Sequence, residues 1–219
     1  MTWLPIGLGG GSQADAVLGL KPEVYRHWPA VRASAFEMTD AATLDVCRLR
    51  IAQLYGVEQE LADVDAARLA AVAAWRDDSS GLSARERAAL AYAEQFVIDQ
   101  NGVRGELEAA LAAELGAKED VIRFAFALWA VDAELRALAI LGVEDRIRVG
   151  ASEAGAEASE GPGPDWSSEE VDYMSSLLTP AFWKAVMTFG PASCAETDVD
   201  ALTSEACRLR NANHQQCRY

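Results

Sequence analysis

The sequence predicts an all-α protein, and three observations lead to this prediction. Alanine and leucine dominate the middle of the chain, and stretches with the two-residue alternation of a β-strand are few. Apolar residues recur at spacings of three and four, as they do on the buried face of a helix. Capping residues and glycines stand where such helices would begin and end. Hydrophobic residues make up 51% of the 219 positions, which is enough for a substantial core.

The first helical segments are predicted before residue 33. Residues 15–32 are expected to hold a short helix near residues 17–20 and a second helical turn from Pro22 to Trp28. Proline suits the first turn of a helix, because the N–H group that it lacks has no partner inside the helix there.

The next predicted helix is capped by Thr39 or Asp40 and runs to about Tyr55. Gly56 is expected to end it, because a glycine just past a helix readily adopts the left-handed conformation. Its buried stripe is formed by Leu44, Cys47, Leu49, Ile51 and Leu54.

Two further helices are predicted on either side of a polar loop at residues 77–81. The first spans residues 63–75 and repeats the apolar spacing. The second is opened by a capping box, with Ser83 at the N-cap and Glu86 three residues later, and residues 101–102 close it.

The longest predicted helix spans residues 118–141. It follows an amphipathic helix at residues 104–115 that ends at Gly116. Apolar residues occupy most of the circumference of the long helix, so we expect it at the centre of the core.

A four-residue sequence occurs twice, 160 positions apart. Residues 47–50 read Cys-Arg-Leu-Arg, and residues 207–210 read the same; an acidic residue precedes each by two positions, Asp45 and Glu205. A proline followed by aromatic residues lies upstream of each copy, as Pro22-Glu23-Val24-Tyr25 and Pro180-Ala181-Phe182-Trp183. Self-similarity at this single long offset predicts a duplicated domain rather than a solenoid.

Three regions follow from the repeat. Residues 1–149 form the first copy, residues 150–165 a disordered acidic linker, and residues 166–219 the N-terminal part of a second copy. The linker is rich in Gly, Ala, Ser and Glu and poor in large apolar groups.

The second copy is predicted to begin with a helix capped by Ser167 that runs through Leu178. Pro180 opens the next helix, residues 192–198 form a loop, and a last helix carries Cys207.

Charge and cysteine usage narrow the functional classes. The formal charge is −15, from 19 basic and 34 acidic residues, which argues against nucleic acid or an anionic membrane as partner. The start lacks the features of a secretory signal, and no stretch approaches the 18 apolar residues of a membrane helix. The four cysteines show no zinc spacing, so we expect no metal, no cofactor and a reducing, cytoplasmic setting.

The first copy resembles the alkylhydroperoxidase D-like, or carboxymuconolactone decarboxylase, family over nearly its full length. The resemblance is carried in order by residues 45–56, 69–76, 83–94 and 138–143. It implies an all-helical bundle that assembles into a homo-oligomer, as a dimer, trimer or hexamer. Many members are thiol peroxidases or disulfide reductases.

The family's active pattern begins with a Glu, and the first Cys of a C-x-x-C sequence follows twelve residues later. A His lies four residues beyond the second Cys. A thiolate attacks the peroxide, the other Cys resolves the sulfenic acid, and Glu and His move protons. In the first copy these positions are Asp45, Val57, Glu60 and Val64. We therefore expect this copy to be redox-inactive, with Cys47 an inert thiol on the buried stripe.

In the second copy Glu205 matches the Glu and Cys217 the first Cys, while the second Cys and the His would fall after Tyr219. Gln216 stands where the family has a glycine that bends the chain, and His214 precedes the cysteine. Two explanations remain: a fragment of a longer tandem protein, which we favour, or a true terminus with a vestigial second copy.

Three functions are compatible with these residues. The first is an antioxidant thiol peroxidase of the peroxiredoxin type, with Cys217 and Glu205 as catalytic groups and a thiol reductant protein as partner. The second is a non-catalytic helical oligomerisation module. The third is a cysteine-independent enzyme of the decarboxylase branch. The ionisable candidates for it, each expected to be a solvated or salt-bridged helix residue, are Asp45, Glu58, Glu60, Asp132 and Glu134.

Overall fold

The computed structural model describes residue 13 and residues 22–144, 172–173 and 176–194. These residues contain helices and turns but no strand, which confirms the predicted all-α class for this part of the chain. The bounded helices are α1 (Pro22–Met38), α2 (Ala41–Tyr55), α3 (Ala66–Ala73), α4 (Ala84–Ile98), α5 (Gly105–Leu115), α6 (Lys118–Leu141) and α7 (Pro180–Cys194).

The predicted helix ends carry the expected capping groups. The side chain of Asp40 accepts a hydrogen bond from the N–H of Ala42 at the start of α2. At its end Gly56 adopts φ 69°, and its N–H bonds the carbonyl of Ala52. Ser83 and Glu86 form the capping box of α4, with each side chain accepting a hydrogen bond from the other residue's backbone N–H.

The core is built around α6, as its apolar circumference predicts. This helix packs against α1, α2 and α5, and Phe124 at its centre is fully buried. Its buried residues are Val121, Phe124, Ala127, Leu128, Ala130, Val131, Asp132, Glu134, Leu135 and Leu138. Two of these ten are acidic, so the helix also brings charge into the interior.

Two helices differ from the predicted bounds. α1 continues past Trp28 to Met38 with Pro29 inside it, although proline removes a helical hydrogen bond. Burial of Val31, Ala35 and Met38 on one face outweighs that loss. α3 is shorter than predicted, because Asp65 caps it by accepting from two backbone N–H groups.

α7 packs against α1, and its Phe182 is fully buried in the same core. The helix continues to Cys194, into the segment predicted as a loop at residues 192–198. The predicted short helix at residues 17–20, the linker and the last helix lie outside the described residues. Within the described residues, none of the helices is long and apolar enough to cross a membrane.

Candidate functional site

Three of the four positions that the resemblance assigns to the first copy's active site lie together. Asp45, Glu60 and Val64 line one open cavity of about 550 Å³. The fourth, Val57, is 2% exposed and belongs to the core. The described residues that line it are Arg32, Phe36, Asp45, Arg48, Glu60, Asp63 and Val64.

A chain reversal after α2 brings positions 45 and 60 together. Fifteen residues of straight helix would separate them by about 22 Å. Instead the chain turns at Gly56 in the left-handed conformation, and a single 3₁₀ turn, Glu58–Glu60, follows. The N–H of Val57 bonds the carbonyl of Ala52 and holds the turn against the end of the helix.

Arg48 lines this cavity and bonds to two of its acids, Asp45 and Glu60. Its Nε donates to Asp45 Oδ1 at 2.8 Å, and its Nη1 donates to Glu60 Oε2 at 2.7 Å. The guanidinium side chain is 14% exposed and that of Glu60 is 6% exposed. An ion pair so withdrawn from water is costly to break from one side, because the remaining charge stays buried.

A second ion pair lies beside the cavity, where Arg32 lines both this cavity and a smaller one of about 10 Å³. Arg32 Nη1 contacts Glu134 Oε1 at 2.9 Å, and Trp28 Nε1 donates to Glu134 Oε2 at 3.1 Å. A small adjoining cavity leads inward between these groups and is lined by Arg32, Phe36, Arg48, Glu60, Val131, Glu134 and Leu135. Burial raises the pKa of Glu134, the nearby Glu60 adds to the rise, and Arg32 and Trp28 only partly oppose it.

In the first Cys-Arg-Leu-Arg sequence, residues 47–50, side chains in the core alternate with side chains that form ion pairs. Cys47 is fully buried, and Leu49 is 1% exposed. Burial raises the pKa of the Cys47 thiol far above its ordinary value, which is consistent with the predicted inert thiol. Arg50 reaches in another direction, to Glu94 on α4, at 2.6 Å.

The other ionisable candidates of the first copy are Glu58 and Asp132, and they lie in different surroundings. Glu58 is exposed. Asp132 is buried, pairs with Arg136 at 2.9 Å and accepts the Tyr55 hydroxyl hydrogen bond at 2.6 Å. Burial and this hydrogen bond raise the pKa of Tyr55. The predicted salt-bridged state is therefore found for Asp45, Glu60, Asp132 and Glu134.

Sequence reasoning missed the two arginines that organise the site. The position of Arg48 three residues after Asp45 was a usable signal, since residues at this spacing are neighbours on a helix. No comparable signal links Arg32 to Glu134, which are 102 positions apart in the sequence. Glu205 and Cys217, the predicted catalytic pair, lie outside the described residues.

Among the described residues, the cavity lining offers carboxylates and guanidinium groups but no thiol or imidazole. These side chains can hold polar ligands and move protons, and they carry no thiol chemistry of their own. Among the described residues no cluster of His, Cys, Asp and Glu is suited to a metal ion. Comparison of the chain with family models, curated proteins and solved structures finds no match to any of them.

Proposed function

We propose that this chain is a thiol peroxidase of the alkylhydroperoxidase D-like type, in which the second copy carries the reaction and the first is redox-inactive. One observation carries the proposal. Asp45, Glu60 and Val64, which the resemblance assigns to a single site on sequence spacing alone, line one cavity. This shared cavity supports the proposal, although Val57, at the position of the first Cys, lies in the core beside it.

The first copy also indicates what the second copy would use. By the repeat, Glu205 and Arg208 stand where Asp45 and Arg48 stand. In the first copy the guanidinium group reaches across the chain reversal to the position of the second Cys. Arg208 would likewise bring a cation near the chain reversal that carries Cys217, and a nearby positive charge lowers the pKa of a cysteine and favours its thiolate.

The proposed reaction is a two-electron reduction of a hydroperoxide. The Cys217 thiolate attacks the terminal peroxide oxygen, the O–O bond breaks, and the leaving alkoxide takes a proton that Glu205 delivers. Cysteine becomes sulfenic acid, and the hydroperoxide becomes an alcohol. A second thiol then displaces water to form a disulfide, and a dithiol reductant restores both thiols.

Peroxide consumption by the whole chain, with dithiothreitol as the reductant, tests this proposal. Cys217→Ser should abolish turnover, and Glu205→Gln should reduce it by about 10²-fold or more, the range for a lost proton-transfer group. Cys47→Ser is the matched control, and its turnover should equal that of the wild type. Turnover that survives Cys217→Ser, or a wild-type chain without turnover, refutes the proposal.

A cysteine-independent function of the first copy is the second candidate, and the buried Glu134 favours it. Burial raises the pKa of Glu134, which lines the small cavity, and a carboxyl group with a raised pKa is suited to give up a proton to a substrate. Arg32 beside it, with 34% of its side chain exposed, can receive the carboxylate of a substrate. In a decarboxylation the C–C bond to CO₂ breaks, and Glu134 protonates the carbon that keeps the electron pair.

This second candidate predicts decarboxylation without thiols. A chain blocked with N-ethylmaleimide should release CO₂ from an unsaturated lactone carboxylic acid. Glu134→Gln should abolish that release, whereas Glu119→Gln, at an exposed position on the same helix, should not. Release that is equal in both variants excludes this role for Glu134.

A further inference from the structure

The helices that the sequence repeat makes equivalent are packed against each other. α1 begins at Pro22 and α7 at Pro180, the two prolines of the repeated upstream stretch. Trp28 of α1 and Phe189 of α7 meet edge to face, with ring centroids 5.0 Å apart and an interplanar angle of 60°. The two helices therefore share one interface inside a common core.

The repeat extends along both helices at an offset of 158 residues, two fewer than the offset between the two Cys-Arg-Leu-Arg sequences. Beyond the proline, Arg26 matches Lys184 in charge. Trp28 matches Val186 and Val31 matches Phe189, so apolar residues stand at the same two positions of each helix. All four lie in the core or pack against it, so each helix uses the same face.

From this we infer that α1 and α7 are the same element of two copies, and that the copies dock through these helices about a local two-fold axis. A two-fold contact is self-complementary: when residue i of one copy touches residue j of the other, j of the first touches i of the second. Trp28 against Phe189 therefore requires Val31 against Val186 as its mate. The occupant of the α1 surface is thus the second copy of the repeat, and this conclusion does not depend on the proposed peroxidase activity.

α7 is also anchored beside α1, on α6. Arg123 Nε donates to the carbonyl of Leu177 at 2.8 Å, and Phe126 meets Phe182 edge to face at 6.3 Å. A fully buried phenylalanine and a hydrogen bond to the backbone before the helix fix its position along the core. The first copy therefore supplies a docking surface composed of both α1 and α6.

The connection within one chain is long enough for this docking. Arg123 lies 18 residues before Leu141, a distance of about 27 Å along the helix. The 36 residues that lead from Leu141 to Leu177 can span about 120 Å when extended. The second copy can thus return to the α1 surface of its own chain without strain, so we assign the pairing to one chain.

Electron–electron dipolar spectroscopy on the intact chain tests the two-fold axis. One doubly labelled chain carries nitroxides at Arg26→Cys and Thr188→Cys, and the other carries them at Ala30→Cys and Lys184→Cys. A two-fold axis exchanges these two pairs, since each residue moves to its counterpart 158 positions away. The expected result is the same mean distance in both chains. Serine replaces Cys194, Cys207 and Cys217 in every labelled chain, and the buried Cys47 is kept.

Each other outcome contradicts part of the inference. Two narrow distributions with different means would show that the helices pack without two-fold symmetry, and broad distributions would show that α7 does not dock. A mixture of chains labelled singly at Ala30 and at Thr188 should not show the distance that these two positions give within one doubly labelled chain. The same distance in the mixture would place the second copy on another chain and overturn the assignment to one chain. None of these readings depends on peroxide turnover, so failure of the docking and failure of the proposed function are distinguishable.

Discussion

The substitution Glu94→Gln tests how much a buried ion pair stabilises the fold. Glu94 is 5% exposed on α4 and accepts hydrogen bonds from three side chains. Arg50 of α2 donates to its Oε1 at 2.6 Å, and the buried Trp75 donates to the same oxygen at 2.9 Å. Arg76 pairs with its Oε2. One carboxylate thus ties together α2, α4 and the segment after α3.

The cost of this substitution follows from what remains buried. A glutamine can still accept the bond from Trp75, but Arg50, whose side chain is 16% exposed, loses its counter-charge. Removing one partner of a buried ion pair costs about 3–5 kcal/mol. Because Arg50 keeps some contact with water, we expect the lower end, about 3 kcal/mol. For a chain of this size that corresponds to a fall in Tm of about 6–12 °C.

The pH dependence gives a second signature. Burial would raise the pKa of Glu94, but the hydrogen bonds from Trp75 and Arg50 outweigh burial and lower it. A carboxyl group with a lowered folded-state pKa stabilises the fold above its unfolded pKa, about 4.3, and this stabilisation is lost as pH falls through the folded value. The wild type should therefore lose stability in acid more steeply than Glu94→Gln.

Urea unfolding followed by circular dichroism at several pH values measures both effects. Glu134→Gln is the matched control, because Glu134 is equally buried but has a raised pKa. The raised pKa means that its favourable contribution is complete below the unfolded pKa and is lost as pH rises through the folded value. Glu134→Gln should therefore lower the free energy of unfolding by only about 1 kcal/mol at neutral pH. Two results would contradict this prediction. One is a smaller loss of unfolding free energy for Glu94→Gln than for Glu134→Gln. The other is a loss of stability at acid pH that is as steep in Glu94→Gln as in the wild type.

Three further predictions concern the region around α2. Tyr55→Phe should lower the free energy of unfolding by about 1.5 kcal/mol, measured in urea, because Asp132 loses a 2.6 Å hydrogen bond; no loss would contradict this. Gly56→Ala should lower it by about 1–2 kcal/mol because of the positive φ, whereas Gly105→Ala, at ordinary φ with open space for a Cβ, should not. In a chain with Cys47 as the sole cysteine, a thiol reagent should react only after denaturant is added, and reaction in native buffer would show that the thiol is accessible.

Local patterns predicted the helices well, because their signals lie within a few residues. The capping box at Ser83, the glycine at position 56 and the bounds of α6 each depend on neighbours in the sequence. Errors arose where tertiary contacts decide. α1 continues through Pro29 because its later turns bury a face against the core, and this burial is not visible in the local sequence.

The candidate site was likewise predicted only in part from the sequence. Its positions on the chain, Asp45 and Glu60, came from a pattern of fixed spacing, and the structure brings both to one cavity. The arginines between them were missed, because an arginine on a helix more often faces water than a buried acid. The link from Arg32 to Glu134 requires that α1 lies against α6, a fact of tertiary packing.

Arg48 and Arg50, the two arginines of the first copy's repeated sequence, have different roles. Arg50 binds Glu94 and holds α2 to α4. Arg48 instead lines the cavity to which positions 45 and 60 belong, where thiol chemistry would require space and a cation. Substituting Arg208, the counterpart of Arg48 in the second copy, should therefore reduce peroxide turnover without unfolding the chain, whereas substituting Arg50 should lower stability first. Equal effects of the two substitutions on stability would mean that the repeat preserves a packing motif alone.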